Sequence, residues 1–177
     1  GEKLEAGEYE KMRKMILGMK VTPSMRLLAS AGEAARRQNI SVYNCSYLGV
    51  DSIDAFCEAM LISMSGCGVG FSVEGKYVEK LPRVKRQTSS LPLTYVIPDS
   101  TEGWVQALRM GMSLWFEGGD VKFDYSLVRP AGSISKTKGG RASGREPLNT
   151  MLDFARLRIL ARQGSFLRPI DAHDLMC

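Results

Sequence analysis

No apolar run in the chain approaches the roughly 20 residues needed to cross a bilayer, so neither a membrane helix nor a membrane partner is expected. Histidine is nearly absent, with His173 alone. The cysteines, Cys45, Cys57, Cys67 and Cys177, form no C-x-x-C pair. A His/Cys metal site built within the chain is therefore not expected, and no metal ligand is assigned. The first residues, GEKLEAGEYEKMRKM, are charged throughout and lack a signal-peptide core. A cytoplasmic protein with reduced thiols is expected. The chain does not start with Met, so a processed, trimmed or partial chain is expected. Acids are scarce in RVKRQ (83–87) and from Lys136 to Arg145, although the net charge is only +5. That mild excess favours an anionic small ligand or a nucleic acid.

The 177 residues suit one ordinary domain or a piece of a larger one. Residues 3–20 read as an amphipathic helix, with Leu4, Met12, Met15, Ile16 and Met19 on one side. Pro23 breaks it and Gly32 marks a turn. ISVYNCSYL is strand-like. Ser52 caps a helix over IDAFCEAMLISM, which ends at the glycine run GCGVG (66–70). FSVEGKYVEKLP holds a strand and a turn, and RVKRQTSSLP (83–92) reads as a basic surface loop. LTYVI (93–97) is a short strand. An acidic capping start at 99–102 opens a helix over 102–117, with Trp104, Leu108, Met112 and Trp115 at helical spacing. Gly118-Gly119 stops it. VKFDYSL (121–127) alternates as a half-buried strand. A long loop leads to a helix over 147–163, with Pro147 in its first turn and Gly164 past its end. Asp171 opens a last helix. Strands and helices alternate, so the fold class is α/β. The strands are too few to close a barrel, which leaves an open sheet or the first half of a barrel.

In YNCSYLG (43–49), Cys45 stands on a strand between Asn44 and Ser46. A thiol that only fills a core more usually has apolar neighbours. Cys57, beside Ile53, Phe56 and Met60, fits that structural role. MSGCGVGFS (64–72) runs helix, glycines, strand, the reverse of a dinucleotide fingerprint. Its glycines serve either a tight connection with positive φ or a ligand lying against bare backbone. In SKTKGGRASGRE (135–146), Lys136, Lys138, Arg141 and Arg145 surround glycines ahead of a helix start. That suits either a phosphate site or a solvated loop. Thr22-Pro23-Ser24-Met25-Arg26 reads as a turn or cap.

In this order, VTPSMRLLASAG, the segment from YNCSYLG to KYVEKLP, PDSTEGW, VRPAGSISKTKGGRASGREPL and RPIDAHDLMC resemble the adenosylcobalamin-dependent (class II) ribonucleotide reductases, the ribonucleoside-triphosphate type included. The resemblance runs from about Val21 onward. It implies a ten-stranded α/β barrel of two parallel halves, with residues 1–20 as an N-terminal helix and 21–177 as the first half. It implies reduction of ribonucleotides to deoxyribonucleotides by thiyl-radical chemistry. Cys45 matches one of the two reducing thiols, whose partner lies in the other half. Thr22 matches a contact to substrate phosphate, and Ser24 belongs to the same loop. Asn44 flanks the thiol, and its contribution would come mainly through the backbone. Gly66, Gly68 and Gly70 match the glycine turn near substrate, where Cys67 departs from the all-glycine form of many relatives. Lys136, Lys138, Arg141 and Arg145 resemble the region lining a deoxynucleotide effector site. Thioredoxin or a similar dithiol would supply electrons. The radical cysteine and the adenosylcobalamin site have no counterpart in these residues. The rivals are another reductase class, or a nucleotide- or nucleic-acid-binding module without redox chemistry.

Overall fold

A computed structural model of the chain describes residues 5–88, 91–134 and 140–177. The chain divides into two compact units, Gly1–Tyr43 and Asn44–Cys177. The first is helical among its described residues: α1 (Ala6–Leu17), α2 (Met25–Ser30), α3 (Glu33–Arg37) and a 3₁₀ turn over Asn39–Val42. α1 is shorter than the 3–20 expected. Gly18 closes it by donating its amide to Lys14 O and Ile16 O. Ser24 caps α2, its Oγ accepting from Leu27 N at 3.2 Å. The expected strand over 40–48 is corrected in its first half. Ile40 and Val42 wind into the 3₁₀ turn, and Ser41 Oγ donates to Gln38 O at 2.7 Å to hold it.

The second unit alternates strands and helices: β1 (Cys45–Gly49), α4 (Ile53–Met64), β2 (Gly68–Ser72), α5 (Gly75–Val78), β3 (Leu93–Val96), α6 (Thr101–Glu117), β4 (Val121–Asp124), α7 (Glu146–Leu160) and α8 (Pro169–Met176). β1 pairs with β2 and β3 with β4, both in parallel. Each pair is joined by a helix, as parallel pairing requires. The described strands thus form two separate two-stranded sheets.

The helix starts are chemically explicit. Ser52 Oγ accepts from Ala55 N at 3.3 Å and Ser100 Oγ from Gly103 N at 2.9 Å, each satisfying an amide with no partner inside its helix. α6 stops at Gly118, whose φ of 84° lies in the left-handed region. α6 packs between α4 and α7. Its Leu108, Met112, Trp115 and Phe116 join Phe56, Leu81, Ile97, Leu148, Leu152 and Ile159 in one buried core. Trp104, expected in that stripe, is only half-buried at its edge.

Three further expectations are corrected. The 83–92 segment is no simple surface loop: Val84 is fully buried. Its amide donates to Ser165 O and its carbonyl accepts from Gly164 N, while Lys85 N donates to Phe116 O. The turn after β2 contains α5, which winds because Val78 and Leu81 bury against the core. The last helix begins at Pro169 rather than Asp171. Asp171 is buried inside its first turn, where it accepts from Arg168 N at 2.9 Å and pairs with Arg162 at 2.7 Å.

Candidate active site

β1 places Cys45 opposite Gly68, Tyr47 opposite Gly70 and Gly49 opposite Ser72. Side chains alternate along a strand. Leu48 and Phe71, on one face, pack against the core. Cys45, Tyr47 and the glycines share the other face, where the thiol and Tyr47 are exposed. Asn44 sits just ahead of the strand, and its carbonyl accepts from Gly68 N at 2.9 Å. Ser46 Oγ donates to Gly68 O at 3.1 Å. These two bonds fix the stretch of β2 beside the thiol.

Gly68 is bare for no internal reason. A methyl group added there would lie 3.6 Å from Asn44 O and 3.9 Å from Cys45 Sγ, ordinary contacts. Its backbone has no positive φ. Gly66 differs: it turns the chain from α4 into β2 at φ 80°. The glycine run is therefore both a tight connection, at Gly66, and an uncovered strand, at Gly68 and Gly70.

Cys57 is fully buried, and burial pushes its thiol up to about 11, as a packing role requires. Cys67 is also buried, its Sγ donating weakly to Gly68 O at 3.6 Å. All four cysteines are free thiols. Only Cys45 couples exposure to a strand face cleared of side chains.

Thr22 and Ser24 belong to the first unit, where both are exposed and Ser24 serves as the α2 cap. Lys136 and Lys138 lie outside the described residues. Arg141 is exposed. Its Nη1 donates to Gly132 O at 3.0 Å, and its backbone bridges to Ile134, so it pins the base of its own loop. Arg145 reaches a cleft of about 460 Å³ at the end of β4. Thr94, Lys122, Asp124, Tyr125 and Ser126 also line it. Burial, then the nearby Asp153 carboxylate, pushes the Tyr125 phenol up to about 12, so it stays a neutral donor. Lys122 and Tyr125 went unnoticed in the sequence because nothing local brings them to Arg145.

Among the described residues no group of His, Cys, Asp and Glu could hold a metal ion, and no helix is long and apolar enough to cross a membrane. What stands out is an α/β protein that presents a thiol on a cleared strand face. The family model for the insertion domain of B12-dependent ribonucleotide reductase matches residues 67–157. The adenosylcobalamin-dependent ribonucleoside-triphosphate reductase of Euglena gracilis is 30% identical, over 94% of this chain and 24% of its own length. That of Lactobacillus leichmannii is 29% identical, over 95% of this chain and 30% of its own. A crystal structure of a B12-dependent (class II) ribonucleotide reductase superposes on 96% of this chain and 32% of its own, with a TM-score of 0.83 and 27% identity. The chain belongs to the B12-dependent ribonucleotide reductase family. It spans roughly a quarter to a third of the length of these relatives.

Proposed function

We propose that the full protein reduces ribonucleotides to 2′-deoxyribonucleotides and that Cys45 supplies one of its two reducing thiols. The observation that carries this is the Cys45–Gly68 pair. An exposed thiol stands on β1 beside a strand glycine that no internal contact demands. Glycine inside a strand costs about 0.5–1 kcal/mol relative to alanine. Its presence is explained if a substrate ribose lies against that backbone with its 2′ carbon near Sγ. The relatives are named for reduction of ribonucleoside triphosphates.

The chemistry balances with two thiols. The 2′ hydroxyl leaves as water, and two electrons and two protons come from Cys45 and a partner cysteine. The pair becomes a disulfide, which thioredoxin or a similar dithiol reduces for the next cycle. A cytoplasmic setting, in which thiols stay reduced between turnovers, suits this cycle. Adenosylcobalamin would supply the radical that starts the reaction.

Within this reading, α1 (Ala6–Leu17) is the N-terminal helix and residues 21–177 belong to the first half of a ten-stranded barrel. Two parallel strand–helix–strand units support the barrel assignment. Thr22 and Ser24 would contact substrate phosphate, and Asn44, Gly66 and Gly68 would line the substrate side of β2. Lys136, Lys138, Arg141 and Arg145 would meet the phosphates of a deoxynucleotide effector. The cleft at Arg145 supports the last of these.

In the full-length enzyme, Cys45→Ser should abolish multiple turnover while cobalt–carbon bond homolysis persists, because a different cysteine carries the radical. Retention of multiple turnover by that variant sinks the assignment.

A further inference from the structure

The cleared face of β1–β2 holds more than a thiol and a glycine. Tyr47 follows Cys45 by two residues and so stands on the same side. Its ring remains 65% exposed although the opposite face of the same strand is packed into the core. It lies beside Gly70, where an added methyl would meet Tyr47 Cδ2 at 3.8 Å and Ser46 O at 3.5 Å. Those are ordinary contacts, and Gly70 has no positive φ. Gly70, like Gly68, is bare without an internal reason.

The far end of the face is closed. Tyr77, from α5, lays its ring on Gly49 so closely that an added methyl would sit 2.5 Å from Cε1. Lys76 and Lys80 place their ammonium groups 5.1 and 5.8 Å from the centre of that ring. The Tyr77 phenol is held above its ordinary range, first by hydrogen bonding with Tyr47 and then by the potential negative charge of that phenol. Tyr77 thus closes the face at Gly49, on the side of Tyr47 away from the thiol.

Neighbouring same-face positions on a strand are about 6.6–6.8 Å apart. Sγ of Cys45, the exposed Tyr47 ring and the bare backbone of Gly68 and Gly70 thus border one open patch of the strand face.

We propose that Tyr47 is a substrate-contacting specificity residue: its ring is the wall against which the nucleoside packs beside Cys45. The inference rests on the ribonucleotide reading above and adds to it a residue beyond the thiol and the glycines. An aromatic wall recognises the flat, partly apolar nucleoside rather than its phosphates. Losing it should weaken substrate placement more than thiol chemistry.

The test uses the full-length reductase with CTP as the probe. Steady-state kinetics are combined with iodoacetamide labelling of Cys45, read by peptide mass. In the wild type, CTP should protect Cys45 from labelling. Tyr47→Leu should raise KM for CTP about ten- to hundredfold and shift the protection curve equally, with the labelling rate without nucleotide unchanged. Tyr47→Phe keeps the wall and should restore KM to within about threefold of wild type. Protection and KM unchanged in Tyr47→Leu overturn the role of Tyr47 alone. A wild type in which CTP gives Cys45 no protection overturns the placement of substrate at Cys45, and the wall with it.

Discussion

Adding one methyl group to β2 separates a glycine kept for a ligand from a glycine kept for the fold. Gly68→Ala places its Cβ 3.6 Å from Asn44 O and 3.9 Å from Cys45 Sγ, with no contact tight enough to displace a neighbour. The backbone there is not left-handed. The folded state therefore accepts alanine, and the unfolded chain loses conformational freedom, so the substitution should stabilise by about 0.5–1 kcal/mol. Amide exchange over β1 and β2 in the full-length enzyme should slow about two- to fivefold. Activity should move the other way. The methyl stands where the ribose would lie beside Sγ, and a loss of ten- to hundredfold in kcat/KM, about 1.4–2.7 kcal/mol, is expected. Gly103→Ala is the control. Its Cβ would fall 2.5 Å from Pro98 O, a backbone atom at the start of α6. Overpacking of that kind costs about 1–3 kcal/mol, so exchange should accelerate. A Gly68→Ala enzyme with wild-type kcat/KM would refute the idea that substrate lies on this backbone. One destabilised as much as Gly103→Ala would show that Gly68 serves the fold.

Asp120 accepts from Trp115 Nε1 at 3.1 Å, from its neighbour Val121 N at 2.9 Å and from Arg156 Nε at 2.9 Å, tying the start of β4 to α6 and α7. The Arg156 guanidinium holds its carboxyl below the usual range. A depressed folded value gives stability that is full above the unfolded value of about 3.9 and is lost as pH falls through the folded one. Asp120→Asn should cost about 1–2 kcal/mol at neutral pH, the half-exposed Arg156 keeping the figure modest. It should also flatten the acid limb of a stability–pH curve below about pH 4; an unchanged limb would count against the pair. Lys138→Ala with Arg141→Ala should weaken dATP or dGTP effector binding about tenfold in equilibrium dialysis, through lost charge-assisted contacts. Unchanged binding would make the loop a connector only.

The helices were legible wherever a local signal and the core agreed. Ser52 and Ser100 are strong caps, and the apolar spacing through Leu108, Met112 and Trp115 matches what α6 buries. The misreadings fall where tertiary partners overrule composition. Ile40 and Val42 favour a strand by type, yet β2 begins opposite Cys45, so the residues before it have no ladder to join. RVKRQ looks solvated because its charges dominate, while a single apolar residue, Val84, anchors the segment through bonds to residues about 80 positions away. α5 is four residues long, too short for any periodic pattern to reveal it.

The site was legible in part for a related reason. Cys45 stood out by its polar neighbours, and strand alternation alone would have added Tyr47 to its face. The glycines could not be sorted from sequence. Gly49, Gly66, Gly68 and Gly70 lie within 22 residues of one another and look alike. In the fold, Gly49 is required by the Tyr77 ring and Gly66 by its left-handed backbone. Gly68 and Gly70 are required by neither. A packed chain has an internal cause for most of its strand glycines, such as a bulge, a bend or the close approach of another group. Two such residues without one, side by side on the face of an exposed thiol, locate the demand outside the chain. On the proposed reading, the bare backbone marks where the substrate lies and the thiol what is done to it.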